Sequence, residues 1–169
     1  MSTRWTPEVA VILVADANIW IDFHHADRLK DIFVLPFEIC TTDFVADELK
    51  NPDISKLKSL GLRVESLSAE KVQTLFDLAN KYRKPSLPDL SCLLLAKDKN
   101  CSLLTGDNNL RTASKEEGVK VHGTLWLLDK LVEHKVLKKK SASQALKKMI
   151  EHGARLPTDE CSTRLKEWQ

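Results

Sequence analysis

Residues Val9–Phe23 read VAVILVADANIWIDF, and the fold follows from how this stretch is built. Val9–Ala15 is an unbroken apolar run, far too short to cross a membrane as a helix. It reads as a strand buried on both faces, as in the centre of a parallel sheet. The run ends at Asp16, Asn18 follows, and the next residues look like the start of a helix. An acid leaving the carboxyl end of a buried strand stands where open α/β sheets place their ligands.

Working outward, Ile19, Ile21, Phe23, Leu29, Ile32 and Phe33 are the apolar anchors of one or two short helices, and Phe37–Thr41 reads as a second strand. Thr42 or Asp43 caps a helix whose buried stripe is Phe44, Val45 and Leu49; it carries Glu48 and stops at Pro52. Leu62–Leu67 reads as a third strand, and Ser68 caps a helix with Val72, Leu75, Phe76 and Ala79 at helical spacing. Pro88 or Asp89 opens an apolar helix, LSCLLLAKDKN, since proline suits a first turn. Cys101–Thr105 is a fourth strand closed by Gly106 and Asp107. NNLRTASKEEG is a helix stopped by Gly118, VKVHG a fifth strand, and the chain is helical from Thr124 onward.

Strands alternating with helices predict an α/β fold, a three-layer sandwich with a central parallel β-sheet of about five strands flanked by helices. Residues 1–157 form the domain, and 158–169 a carboxyl-terminal helical tail of it. Strand order is not contained in periodicity.

With 43% hydrophobic and 30% charged residues in 169, the chain has the composition of a soluble globular domain. Its formal charge of +2 is too small to argue for nucleic acid by itself. MSTRWTPE lacks the pattern of a secretory leader, so a cytoplasmic location is expected. Cys40, Cys92, Cys101 and Cys161 lack metal-site spacing and read as reduced thiols; the five histidines make no ligand pattern either.

The acids that matter stand at matching places in the fold. Asp16 and Asp107 directly follow buried strands, while Glu48 and Asp89 lie on helices that begin near strand ends. Carboxylates gathered at one sheet edge raise one another's pKa values, and a divalent cation relieves that repulsion. Oxygen ligands without histidine or cysteine suit Mg²⁺ or Mn²⁺. Two such ions align a water, a phosphodiester and its leaving oxygen. Each residue also has an ordinary alternative: Asp16 and Asp89 as helix caps, Glu48 as a solvated helix acid, Asp107 as a turn residue. Only the register of all four favours a site. Asp22, Asp27, Asp31, Asp43, Asp47 and Asp98 lack this strand-end placement and read as caps or solvated charges.

The pieces VADANIWI, DFVADEL, SLPDLSCLLLAK and LLTGDNNLR, in that order, resemble a PIN-domain ribonuclease of the broad group that includes VapC-type toxins. VHGTLWLLDKL resembles the fifth strand, glycine–threonine turn and helix of a bacterial branch. The resemblance covers about Val9 to Leu156. It implies that Asp16, Glu48, Asp89 and Asp107 form the acidic metal site, that the Thr105 hydroxyl helps place metal or water, and that Asn18 steadies the first loop. It further implies endonucleolytic cleavage of single-stranded RNA by water that Mg²⁺ or Mn²⁺ (one or two ions) activates, leaving a 5′-phosphate and a 3′-hydroxyl. Homodimers are common in such a family, and a toxin has an antitoxin partner. The chain departs from the pattern at Asn108 and Asn109, where many members carry another acid. That departure leaves open a catalytically weak or inactive module that binds RNA or a protein partner.

Lys130, Lys135, Lys138–Lys140, Lys147 and Lys148 crowd the carboxyl-terminal helices, either as a phosphate-tracking surface or as a solvated face. Arg111, a turn beyond Asp107, is better placed for a scissile phosphate. Trp20 and Trp126 have apolar neighbours that favour core packing over base stacking. A haloacid dehalogenase-type phosphatase would need a second acid where Asn18 stands, and receiver domains need paired acids and a later lysine that are not in place.

Overall fold

The computed structural model describes residues 11–169, so Val9, Ala10 and the MSTRWTPE segment lie outside the described residues. In chain order the elements are β1 (Val11–Ala15), α1 (Ala17–His25), α2 (Leu29–Ile32), β2 (Phe37–Thr42), α3 (Asp43–Glu48), α4 (Ile54–Leu60) and β3 (Arg63–Glu65). There follow α5 (Ala69–Lys81), α6 (Leu87–Lys99), β4 (Ser102–Leu104), α7 (Asn108–Glu116), β5 (Val121–His122), α8 (Thr124–Glu133), α9 (Lys139–Glu151) and α10 (Thr158–Glu167).

The five strands form one sheet, all parallel, in the order β3-β2-β1-β4-β5. β1 pairs with β2 from Val11↔Phe37 to Val14↔Cys40 and with β4 from Leu13↔Ser102 to Ala15↔Leu104. Its central place explains the unbroken apolar run, because side chains on both faces are covered. Leu13, Ala15, Ile39 and Leu104 face a core closed by α1, α2, α4, α8, α9 and α10. Val14, Cys40 and Leu103 face a second core under α3, α5, α6 and α7. Alternate residues of one strand thus feed opposite layers, which is the three-layer sandwich.

Local chemistry sets the helix starts. Thr42, not Asp43, caps α3 by accepting from the Val45 N–H at 3.3 Å, and Ser68 caps α5 through the Lys71 N–H. α4 is a helix in a polar segment where none was expected; its only fully buried side chain is Leu57, too little to create a readable stripe. β3, β4 and β5 are shorter than the segments read as strands in the sequence. The carboxyl-terminal α10 packs on α9 and contributes buried Cys161, with Trp168 buried just beyond its end.

Chain order and strand order diverge at one place. From β1 the chain winds outward through β2 to β3, then crosses back to lay β4 on the other side of β1. The carboxyl ends of β1 and β4 therefore face the crevice at a switch point, and Asp16 and Asp107 follow those two strands in the chain.

Candidate active site

Two neighbouring strands run out at this switch, and after each the chain turns into a helix. Asp16 caps α1 by accepting from the Ile19 N–H at 3.2 Å. Asp107 caps α7 by accepting from the Leu110 N–H at 2.8 Å. Both carboxylates therefore lie at helix N-termini, where unpaired amides and the helix dipole favour negative charge. Fully buried Thr105 ties the two together: its hydroxyl donates to Asp16 Oδ2 and accepts from the Asp107 N–H at 3.1 Å. Backbone bonds hold the frame, with the Asp16 N–H donating to Leu104 O at 3.1 Å and the Thr41 hydroxyl to Ala15 O at 2.8 Å.

Asp89 arrives on α6. The Ser86 hydroxyl accepts from the Asp89 N–H at 3.2 Å, and the Asp89 carboxylate is held by Ser86 in return, a reciprocal cap. Glu48 is the last residue of α3 and is exposed. Asp16 and Asp107 are thus helix caps as well as site candidates, and Asp89 lies in a first helical turn.

Their electrostatics join them. Burial pushes Asp16 up to about 7, against the pull of its hydrogen bond from Thr105, and the charges of Asp89 and Asp107 push it further. Burial also raises Asp89, and the charges of Asp107 and Glu48 add to the rise. Asp16 and Asp89 thus each feel the charge of two others of the four acids. Among the described residues, however, no three His, Cys, Asp or Glu side chains are set to hold a metal ion as they stand. The caps keep Asp16 Oδ1 and Asp107 Oδ1 on backbone amides.

A cleft of about 520 Å³ opens beside Asp107 and is lined by Asn18, Asp22, His25 and Asn108, among others. Asn18 is exposed at this wall. Asp22 corrects the sequence reading: it is half-buried rather than solvated, and it accepts from the Thr124 hydroxyl at 2.9 Å. Burial raises its pKa in spite of that bond. Its place one turn after Asn18 on α1 was the available signal. Arg111 lies against the site floor, its Nη2 donating to Thr105 O at 3.3 Å.

The lysine-rich helices meet the cleft only at one end. His152 and Gly153–Arg155, at and after the end of α9, line it. Lys138–Lys140 stand at the other end of that helix, about 18 Å away along its axis. Exposed Arg155 is the cation that borders the cleft, and no charge pattern in the sequence singled it out. Trp20 is fully buried and stacked on Phe33, whereas Trp126 is only half-buried.

Residues 12–169 match the family model DUF3368, described as a PIN domain. The chain belongs to this PIN-domain family. Among solved structures it is similar to a PilT N-terminus domain protein from the hyperthermophilic archaeon Sulfolobus solfataricus P2. The TM-score is 0.53 and the identity 18%, over 73% of this chain and 96% of that one. This likeness shows the fold alone. No curated protein matches the chain.

PIN domains are usually nucleases and generally use divalent metal ions. The donor chemistry of this chain fits such an ion: its candidates are all carboxylates, burial and the charges of the others raise Asp16 and Asp89, and Asp16 is wholly buried. Among the described residues no helix is long and apolar enough to cross a membrane, and all four cysteines are free thiols.

Proposed function

We propose that this PIN domain is a Mg²⁺- or Mn²⁺-dependent endoribonuclease that hydrolyses phosphodiesters of single-stranded RNA, with Asp16, Glu48, Asp89 and Asp107 as its acidic residues. The observation that carries the reading is the fully buried Asp16 carboxyl, raised by burial and by two other site acids. A bound divalent ion supplies Lewis acidity, which makes water a better nucleophile and offsets charge building on the phosphate. The chain's own residues prepare for that chemistry. Thr105 and the first turn of α1 fix the Asp16 carboxylate, so its ionised oxygens keep one orientation. The first turn of α7 fixes Asp107 in the same way. Arg111, held on the Thr105 carbonyl, directs its guanidinium charge at the site floor and suits a phosphate oxygen.

The test is cleavage of labelled single-stranded RNA with Mg²⁺, Mn²⁺ or EDTA, comparing wild type with Asp16→Asn. Metal-dependent cleavage that falls by about a hundredfold or more in the variant supports the reading. No cleavage across a wide range of RNAs, with the fold intact and no metal bound by calorimetry, overturns it. That result would favour the second reading, a module that binds RNA or a protein without cutting, for which Asn108 and Asn109 speak. In a toxin role an antitoxin would cover the acidic edge, and a homodimer is the assembly we expect for the free protein. Four free thiols suit the reducing cytoplasm.

A further inference from the structure

A second cavity, of about 550 Å³, lies beside the acidic cleft, between the start of α7, β5, the start of α8 and the α9–α10 connection. Gly106, Asn108 and Arg155 line both, so the two adjoin. One wall is aromatic. The His122 and Trp126 rings stack at 4.1 Å and 12°, and Trp126 stacks in turn on Phe37 at 5.8 Å. Burial, with the charges of Lys120, Lys130 and Arg111, holds the His122 pKa below its ordinary value, so the ring is a neutral plate at pH 7.

The rest of the lining is rich in guanidinium groups. Arg164 is committed to Asp129, with bonds of 2.7 and 2.8 Å. Arg111 and Arg155 form no ion pair with any described residue. Arg111 is seated by a missing side chain: a Cβ on Gly123 would stand 3.0 Å from its Nη2 and 3.6 Å from Thr105 O. Uncommitted guanidinium groups beside stacked aromatic rings are the chemistry that holds single-stranded nucleic acid. A base paired inside a duplex must first be unpaired and unstacked to enter a cavity, at a cost of a few kcal/mol, which an unpaired base largely avoids.

We infer that this cavity is a nucleotide subsite: it takes one unpaired RNA base against the His122–Trp126 wall, while the adjoining phosphates pass Arg155 and Arg111 into the acidic cleft. Glu160, also in the lining, is an acceptor suited to an exocyclic base amino group. The inference rests on the nuclease reading for the polymer that enters the cleft, but its ligand is set by the cavity's own residues.

Binding without cleavage tests it. The probe is a fluorescein-labelled eight-nucleotide single-stranded RNA, measured by anisotropy in EDTA, with a series in which each position in turn is abasic. One position is expected to matter, its base loss weakening binding about tenfold while the other positions change little. Arg155→Gln, at an exposed residue outside the helices, is expected to weaken binding several-fold and to lower the log–log salt slope by about 0.7. Equivalent abasic positions, or an Arg155→Gln protein that binds with wild-type affinity and slope, overturns the subsite, because base and phosphate must be held together. Metal-dependent cleavage with neither signature removes the subsite and leaves the nuclease. Both signatures without cleavage in Mg²⁺ or Mn²⁺ keep the subsite and remove the nuclease. No RNA binding overturns both.

Discussion

Asp16→Asn should make the metal-free protein more stable at alkaline pH while it destroys the site. Burial and neighbouring carboxylates lift Asp16 from 3.8 to about 7. That shift of about 3 units corresponds to about 4 kcal/mol by which ionisation is harder in the native state than in the unfolded chain. Between about pH 4 and pH 7 the native state holds a proton that the unfolded chain has lost, so stability falls as pH rises through this window and then levels. Asparagine removes the charge and still caps α1. It loses the charged hydrogen bond from Thr105, worth about 1 kcal/mol after the hydroxyl turns to accept. The net gain is about 2–3 kcal/mol above pH 7, or a Tm higher by about 5–10 °C.

Thermal unfolding in EDTA at pH 4, 5.5 and 8 checks this. The variant should match or trail wild type at pH 4 and exceed it at pH 8. A difference that does not change with pH, or a variant less stable at pH 8, refutes the buried-charge reasoning. Mg²⁺ or Mn²⁺ at a thousand times its Kd should reverse the ranking at pH 8, because it adds about 4.1 kcal/mol to wild type and nothing to a variant that cannot bind it.

Other expectations lie away from Asp16. Glu117 accepts from Tyr82, Lys81 and Lys97, the last two at 2.9 and 3.0 Å, and these partners lower its pKa to about 2. Glu117→Gln should cost about 1–2 kcal/mol at pH 7 after allowance for solvent screening. That cost should vanish as pH falls from about 4.5 to 2, where wild type loses the same charge; urea unfolding at pH 7 and pH 2.5 measures it. Gly123→Ala puts a methyl group against Arg111, so RNA affinity should drop several-fold while Tm moves by less than about 3 °C, the backbone there being open to alanine. A large Tm loss with unchanged affinity would contradict the seat. Asp22→Ala strands the buried Thr124 hydroxyl and should cost about 1–2 kcal/mol in denaturant unfolding, with Asp22→Asn recovering most of it.

The alternation of strands and helices was legible because β1, β2 and β4 are buried on both faces and so keep apolar runs that no surface segment matches. α4 was not legible, since one buried leucine in seven residues makes no period. The strand order was not legible either: nothing local to Ser102–Leu104 says that it lies beside Val11–Ala15 rather than beside β3. The charged residues divide the same way. Asp16 and Asp107 were marked by the strands before them, but Asp22 owes its role to Thr124, 102 positions later. The lysine run drew attention through number, whereas geometry gives the cleft border to a single arginine, Arg155.

The sequence could not decide between caps and ligands because at Asp16 and Asp107 they are the same carboxylates. Asp16 and Asp107 each cap a helix and Asp89 lies in the first turn of another, where a divalent-ion site would need an oxygen. Capping orients the carboxylates before any ion arrives, which limits the reorganisation that ion binding would demand. The same arrangement leaves a defect: Asp16 is wholly buried among like charges, and Thr105 together with one amide only partly compensates. A cap needs no such burial, since an exposed aspartate caps equally well, as Asp53 does for α4. A cation completing the cap would account for its burial at the switch point, and the pH dependence of Asp16→Asn with and without Mg²⁺ decides that question.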